Sequence, residues 1–351
     1  MIRRVICSIW ILLWLATGPA HSQEAVAVFK APDATPTKTL LVRSTTDIAI
    51  LQPALKAFVQ ANPSLTLTYE QWGSNALYAD SRAACDGTGT PADVVISSGV
   101  QQMVDLVNRA CAQPYISATT NAIPPSRKWR DEIWGITQEA AVIIYNTDLV
   151  PPQDAPNTRF ALLDLMRRPS SEYKGKIATY DIEASGLGFL FAFVDSQEAT
   201  TFGGLLEGFS RTEAVATCCS AEIIQGVADG TYLIAYNVLG SYVDSVPHQN
   251  IGIIYPEDYT LFLSRALLIP KTAPNTDDAT RFLEFLLSPA GQSILSESNL
   301  VQRLNSDENP LPESAQRPIA IDPKLLVAMD QHRRAIFVNK WRATFEPETG
   351  P

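Results

Sequence analysis

Apolar runs that end in small polar residues and lead into helical patterns occur four times along the chain. The first is LLVRSTTDIAILQPALKAF, residues 40–58, in which a strand pattern is followed by three hydroxyl residues and an aspartate. The polar groups of the other three begin at Ser97, Glu183 and Asn237. Strands that alternate with helices predict an α/β fold with parallel sheets, in which ligands bind at the carboxyl ends of the strands.

The hydroxyl residues at these junctions have two interpretations. The first turn of a helix has backbone N–H groups without partners at the positive end of the helix dipole, and Ser, Thr or Asp side chains cap such groups. The same geometry binds a small anion. For any single loop the cap is the commoner outcome, so the pattern alone leaves both roles open.

Residues 1–22 have the pattern of a secretory signal peptide. Two arginines precede an apolar run over residues 5–16, and small residues at Ala20 and Ser22 suit cleavage. The run is too short to span a bilayer, which takes about 20 residues. The sequence therefore predicts export to the periplasm. Residues 23–38, rich in Ala, Pro and Thr, are predicted to be a disordered lead-in.

Charge and cysteine content narrow the class of protein. A net charge of −10 argues against a nucleic-acid partner. Cys85, Cys111, Cys218 and Cys219 follow the predicted signal peptide, and an oxidising compartment permits disulfides. We favour a bond between Cys85 and Cys111. The adjacent pair either forms a strained vicinal bridge or has one cysteine buried as a small apolar residue.

Motifs for catalysis are missing from the sequence. No Gly-x-Ser-x-Gly elbow occurs, and the Gly-Leu-Gly at residues 186–188 lacks the remaining glycine of a dinucleotide-binding loop. We therefore expect no enzymatic activity, no catalytic residue, no cofactor and no metal site.

Three segments resemble the ferric-type extracellular solute-binding proteins of bacterial ABC importers. They are WGITQEAAVIIYNTDLV at 134–150, YKGKIATYD at 173–181 and RFLEFLLSPAGQSIL at 281–295. The resemblance extends over about 39–345, and the last segment, which matches a C-terminal helix pair of the family, is the most specific.

The resemblance implies an α/β fold of the two-lobe, type II periplasmic-binding-protein kind, with two crossing strands between the lobes and a cleft that closes by a hinge motion. Lobe one would comprise residues 39–138 and 258–351, and lobe two residues 139–257. A monomer would deliver a solute to an ABC permease in the inner membrane. The same fold would serve a sensor that reports to a histidine kinase, and the sequence leaves both partners open.

The family's architecture places the strand-to-helix loops at the ligand. The residues expected to line the cleft are Ser44, Thr45, Thr46, Ser97 and Ser98 from lobe one, and Tyr145, Asn146, Ser185, Gly186, Tyr236 and Asn237 from lobe two. Arg265 and Arg43 are candidate partners of an anion, although either could instead pair with an acid of the protein. Hydroxyls and helix starts favour a small polar, anionic solute, either an organic acid or a phosphorylated compound.

Ferric iron is the alternative ligand implied by the resemblance. Iron-binding members of the family use two consecutive tyrosines, whereas Tyr236 here is followed by Asn237. One phenolate and an amide form a poor donor set for a hard ferric ion. The anionic solute is therefore the favoured prediction.

Overall fold

The computed structural model describes residues 23–33, 35–169, 172–198, 200–243, 249–302 and 311–346. The predicted signal peptide, residues 1–22, lies outside the described residues. The described residues form a mixed α/β structure with two seven-stranded sheets.

The strands are β1 (Gln23–Phe29), β2 (Lys38–Ser44), β3 (Leu65–Trp72), β4 (Val94–Ser97), β5 (Lys128–Trp129), β6 (Ile133–Gly135), β7 (Glu139–Asn146), β8 (Ile177–Tyr180), β9 (Val215–Thr217), β10 (Ile234–Leu239), β11 (Ile251–Ile254), β12 (Thr260–Leu263), β13 (Ala266–Leu268) and β14 (Gln316–Pro318). The helices are α1 (Ile48–Ala61), α2 (Ser74–Cys85), α3 (Val100–Asn108), α4 (Ala118–Asn121), α5 (Arg159–Arg167), α6 (Gly186–Glu198), α7 (Phe202–Arg211), α8 (Ser220–Ala228), α9 (Gly240–Val243), α10 (Thr276–Leu287), α11 (Pro289–Glu297) and α12 (Gln331–Phe345). Short 3-10 helices occur at Pro125–Arg127, Pro152–Asp154, Glu313–Ala315 and Pro323–Met329.

Each sheet contains a group of adjacent parallel strands of the kind that the alternating pattern predicts. The first sheet has the order β1-β3-β2-β4-β13-β6-β5, and β2 lies parallel to β3 and β4. The second has the order β14-β12-β7-β10-β8-β9, with β11 also paired to β7, and β8 lies parallel to β9 and β10. Helices such as α1, which buries Leu51, Leu55 and Phe58 on one face, cover the sheets.

Two short segments that cross between the sheets lie next to each other. The chain passes from β6 to β7 through residues 136–138 and returns from β12 to β13 through residues 264–265. The Ile136 N–H donates to the Arg265 carbonyl at 2.9 Å, and the Arg265 N–H donates to the Thr137 hydroxyl at 2.8 Å. Two short hydrogen-bonded crossings lying side by side form the natural axis for a hinge.

The second crossing lies later in the chain than we expected. The expected boundary was between residues 257 and 258, but β12 pairs with β7 of the second sheet, with Phe262 opposite Ala140. The turn back into the first sheet therefore begins at Ser264. The sequence pattern does not reveal this, because residues 259–269 form one almost continuous apolar run that spans both sheets.

An edge strand occupies part of the predicted lead-in. β1 pairs antiparallel with β3, and Phe29, which is buried, lies opposite Leu67. Val26 and Val28 lie on the opposite, exposed face. The composition of residues 23–38 suggested disorder, but the apolar alternation within them is that of a strand. The prediction of a disordered lead-in is wrong for β1.

The C-terminal helix packs on the second lobe, although we assigned residues 258–351 to the first. Phe337 of α12 stacks on Phe202 of α7 with ring centroids 5.8 Å apart, and Trp341 stacks on the same ring at 6.5 Å. The Pro323–Met329 segment just before α12 packs against α3 of the first lobe. The described residues from Pro323 to Phe345 therefore contact both lobes.

The predicted disulfide between Cys85 and Cys111 is confirmed, with the Cα atoms 5.3 Å apart. It joins Cys85, the last residue of α2, to Cys111, which lies just beyond the short turn that follows α3. A cross-link that closes a loop of this length stabilises a protein by about 3 kcal/mol. It also fixes the two helices whose first turns reach the second lobe.

Candidate ligand-binding cleft

A cavity of about 360 Å³ lies between the lobes, where the loops after β2, β4, β8 and β9 meet. Its size is in the range of small-molecule sites. Both lobes and the second crossing segment line it: Glu24, Thr45, Asp47, Gln71, Trp72, Gly73, Ser74, Ser98, Tyr180, Ala184, Ser185, Leu187, Cys218, Cys219, Ser220, Ala221, Glu222, Leu239, Tyr242 and Arg265.

The loops after β2 and β4 form the wall of lobe one and are tied to each other. The Thr45 hydroxyl accepts the N–H of Ser98 at 2.9 Å and lies 3.1 Å from the Ser98 hydroxyl. Ser44 and Ser97 are buried behind them, and each accepts the N–H two residues further along the chain at 3.0 Å. In each loop, the first hydroxyl therefore closes the turn and the second lines the cavity.

Arg265 lies at the back of the cavity in a buried ion pair. Its Nε and Nη2 donate to the two carboxylate oxygens of Glu139 at 2.8 and 3.0 Å, and its Nη1 donates to the Thr46 hydroxyl at 3.0 Å. Burial alone would lower the pKa of Arg265, but Glu139 and the nearby Tyr242 outweigh burial and raise it. The guanidinium therefore stays charged, and its charge is matched within the protein.

The wall of lobe two is formed by hydroxyls at the starts of two helices. The Tyr180 and Ser220 hydroxyls lie 2.5 Å apart, and burial raises the pKa of Tyr180 to about 12, so this phenol is protonated at neutral pH. The Ser185 hydroxyl accepts the N–H of Gly188 at 3.0 Å and caps α6. Ser185 thus has the capping role and also lines the cavity.

The two lobes touch at the edge of the cavity. The Gly186 N–H donates to the Ser74 hydroxyl at 2.8 Å, and its carbonyl accepts from Gln101 at 2.7 Å. The Asn75 amide donates to the Glu183 carbonyl at 2.7 Å. Because the donors and acceptors come from opposite lobes, these hydrogen bonds form only when the lobes are together. The structure is therefore a closed arrangement.

Tyr236 and Asn237 face the interior of lobe two and not the cavity. The Tyr236 hydroxyl donates to Asp195 and accepts from Arg159 Nε at 2.6 Å. Asn237 donates to the same Asp195 at 3.3 Å. Tyr236 and Arg159 are buried together beneath α6 and α7, so burial raises the pKa of Tyr236 well above its usual value. Both residues were expected in the cleft, and their contacts assign them to the core.

Tyr145 and Asn146 also lie away from the cavity, at the far end of β7. The Tyr145 ring lies directly against Gly252 of the neighbouring strand. The Asn146 amide donates to the Val227 carbonyl at 2.8 Å, and its side-chain oxygen accepts the N–H of Asp148 at 3.0 Å. Asn146 thus stabilises the turn after β7. This structural role accounts for an asparagine at this position, and no ligand contact is needed to explain it.

Arg43 pairs with acids of the protein and does not face the cavity. Such pairing was one of the two roles that the sequence left open for it. Its guanidinium donates to Glu70 at 2.8 Å and to Asp80 at 2.7 Å, and it also donates to the Thr90 carbonyl at 2.7 Å. These contacts anchor α2 to the first sheet, and they leave Arg43 as a structural residue.

The sequence patterns missed several residues of the cavity wall. Ser220 begins α8 after a two-residue loop that follows β9, in the same strand-to-helix arrangement as the other loops. β9 has only three residues, which are too few to form a strand pattern that could be recognised in the sequence. Tyr242 belongs to the four-residue helix α9, and its hydroxyl lies 3.2 Å from Asp47 of the opposite lobe.

Cys218 and Cys219 are free and exposed, and both line the cavity. The two predicted fates, a vicinal bridge or burial of one cysteine, are therefore both wrong. The two neighbouring thiols interact, and this interaction lowers the pKa of Cys218 and raises that of Cys219.

Replacement of Thr46 by valine should lower the free energy of unfolding by about 2 kcal/mol, because the fully buried hydroxyl accepts a hydrogen bond from the charged Arg265. Urea unfolding measures the change. The matched control is Thr45→Val, which removes an acceptor of a neutral N–H and should cost about 1 kcal/mol. A Thr46→Val protein as stable as the parent would contradict the hydrogen bond to Arg265.

Two α/β lobes, paired crossing strands and a polar cavity at the carboxyl ends of the parallel strands define a type II periplasmic solute-binding protein. The chain belongs to the bacterial extracellular solute-binding protein family, whose model matches residues 43–293. Proteins of this family are non-catalytic components of ABC transporters that deliver a small-molecule ligand to a permease. Membership implies a periplasmic location. Among the described residues, no helix is long and apolar enough to cross a membrane.

Comparison with solved structures supports the assignment to this family. The chain is 31% identical to the substrate binding protein of the ABC transporter from Agrobacterium tumefaciens, with a TM-score of 0.85 over 92% of this chain and 98% of the other. The periplasmic binding protein AfuA from Actinobacillus pleuropneumoniae shares the fold, with a TM-score of 0.67 at 15% identity over 88% and 99% of the two chains. The predicted family and two-lobe fold are confirmed.

Iron uptake protein A1 of Synechocystis sp. is also similar in sequence. It is 26% identical over 237 residues, which cover 62% of this chain and 63% of that protein. The chain thus spans less than two thirds of the length of the curated relatives that it matches.

Proposed function

We propose that the protein captures a small polar, anionic solute, an organic acid or a phosphorylated compound, and delivers it by hinge closure to an ABC permease in the inner membrane. The observation that carries the proposal is the convergence of helix starts from both lobes on one cavity. Ser98 lies two positions before the first residue of α3, Ser185 immediately precedes α6, and Ser220 is the first residue of α8. All three line the cavity.

This arrangement suits an acidic group for two physical reasons. The N–H groups of a first helical turn and the positive end of the dipole both attract an anion. Hydroxyls such as those of Thr45, Ser98 and Ser220 adapt as donors to an acidic oxygen. Arg265 adds a permanent positive charge at the back of the cavity, with N–H groups beyond the three that Glu139 and Thr46 accept.

Closure would follow from the two crossing segments at 136–138 and 264–265. Rotation about these segments separates Gly186 from Ser74 and Gln101 and opens the cavity to solvent. A permease that recognises the closed form would then distinguish loaded from empty protein. The proposal includes export by cleavage of a signal peptide at residues 1–22 and action as a monomer.

Ferric iron is the second candidate, because the name of the Synechocystis relative assigns it to iron uptake. The donor set of this chain weighs against that ligand. The Tyr236 hydroxyl is engaged with Arg159 and Asp195. Within the described part of the chain, no group of three or more His, Cys, Asp or Glu side chains is arranged to hold a metal ion.

The test is native mass spectrometry of periplasmic protein, followed by thermal unfolding with phosphate, organic acids, sugar phosphates and ferric iron. A ligand at a hundred times its dissociation constant adds about 2.7 kcal/mol of stability, which gives a clear shift. Stabilisation by an acidic organic compound or phosphate supports the proposal. Stabilisation by ferric iron alone would replace it with the second candidate, and a protein that carries and binds none of these compounds would overturn both.

A further inference from the structure

The charges that line the cavity are mainly negative. Glu24, Asp47 and Glu222 place three carboxylates in its wall, whereas Arg265 is the one cation among the described lining residues. Arg265 is already paired with Glu139 through two hydrogen bonds. None of the three lining carboxylates forms an ion pair with another described residue. A solute that is only an anion would therefore face net repulsion.

Asp47 is the most enclosed of these carboxylates and does not have the usual role for its position. It directly precedes α1, where an aspartate ordinarily caps the helix, but its side chain accepts no N–H of that helix. Gln71 takes that role instead, since its side-chain oxygen accepts the Ile48 N–H at 3.0 Å. The carboxylate of Asp47 is thus directed away from its own helix and toward the cavity.

The polar contacts of Asp47 leave half of its carboxylate open. Oδ1 accepts from the Tyr242 hydroxyl at 3.2 Å and from the Gln71 amide at 3.4 Å. Oδ2 accepts no hydrogen bond from any described residue. Burial outweighs the Tyr242 hydrogen bond and the nearby Arg265 and raises the pKa of Asp47, so the carboxylate is partly desolvated without full compensation. A half-buried carboxylate in this state gains most from a cation that arrives with a ligand.

We infer that the solute carries an ammonium group in addition to its acidic group, and that Asp47 binds the ammonium. The inference rests on the proposed function, because it assigns the acidic group of the same solute to the helix starts and the Arg265 side of the cavity. The class of ligand is a small zwitterion. Its positive end meets Asp47 in the wall of lobe one, and its charge offsets the excess of carboxylates that line the cavity. Glu24 and Glu222, both more exposed, extend the same negative potential toward solvent.

The test uses pairs of compounds that differ by a single amine: phosphoethanolamine with ethyl phosphate, β-alanine with propionate, and 4-aminobutyrate with butyrate. Calorimetric titration of protein freed of bound solute gives the dissociation constants. We expect the amine-bearing member of at least one pair to bind ten-fold or more tightly than its partner. Asp47→Asn, which keeps the size and an acceptor for Tyr242, should abolish this advantage.

The control variant is Asp277→Asn, which neutralises an exposed aspartate in the first turn of α10, and it should keep the full preference. Equal or tighter binding of the amine-free member, or a preference that survives in Asp47→Asn, overturns the inference while the proposed function stands. If no compound of these pairs or of the thermal panel binds, the inference and the proposed function both fail.

Discussion

Replacement of Arg265 by methionine is expected to lower the free energy of unfolding by about 3–5 kcal/mol, because removal of one member of a buried ion pair leaves the other charge uncompensated. Arg265 is 1% exposed and Glu139 is fully buried. Glu139 would retain hydrogen bonds from the Thr137 hydroxyl at 2.7 Å and the Ser241 hydroxyl at 2.5 Å, which do not balance its charge. Urea unfolding followed by circular dichroism measures the loss.

Two further variants separate charge from packing. Glu139→Gln combined with Arg265→Met removes both charges, and we expect this double variant to regain much of the stability that the single variant loses. Arg211→Ala breaks the exposed pair with Glu207 and should cost less than about 1 kcal/mol. If Arg265→Met costs no more than Arg211→Ala, the pair at the crossing segments does not stabilise the protein as we describe.

Replacement of Gly186 by valine is expected to weaken solute binding at least tenfold, a change that corresponds to about 1.4 kcal/mol. A Cβ atom at this position would lie 2.8 Å from the Gln102 side-chain oxygen and 2.9 Å from the Ser74 hydroxyl. Both neighbours belong to the opposite lobe, so the clash exists only in the closed arrangement. Calorimetry with the solute found in the thermal panel gives the affinity, and small-angle X-ray scattering should show a larger radius of gyration with solute present.

The control for this prediction is Gly203→Val in α7 of the same lobe, where an added Cβ meets no atom within 4 Å. Its solute affinity and scattering profile should match those of the parent protein. A Gly186→Val protein that binds solute with unchanged affinity would show that contact between Gly186 and lobe one is not needed for capture.

The strand-to-helix loops could be located from sequence because their signal is local. An apolar run, a hydroxyl and a helical pattern lie within about ten residues at Ser98 and Ser185, and both residues line the cavity. It is harder to predict from sequence which face of the sheet a strand residue points to. β10 and the residues before it form the apolar run YLIAYNVL, which lacks the polar and apolar alternation that would indicate which side Tyr236 faces.

Contacts between segments that are distant along the chain leave no local pattern in the sequence. Arg159, Asp195 and Tyr236 meet in one buried network although long stretches of chain separate them. The pairing of Arg265 with Glu139 depends on how two crossings lie side by side, which no single segment encodes. For Arg43 and Arg265, residue type alone suggested that each guanidinium binds an anion. Only the three-dimensional arrangement identifies the acids that pair with them.

The free cysteines at the cleft have a practical consequence for following capture optically. Cys85 and Cys111 are consumed in a disulfide, whereas Cys218 and Cys219 are exposed at the cavity wall. A thiol-reactive, environment-sensitive fluorophore would therefore attach at the cavity wall of the native protein, with no engineered residue. Its emission would report the passage from open to closed in real time and turn the protein into a biosensor for its own solute.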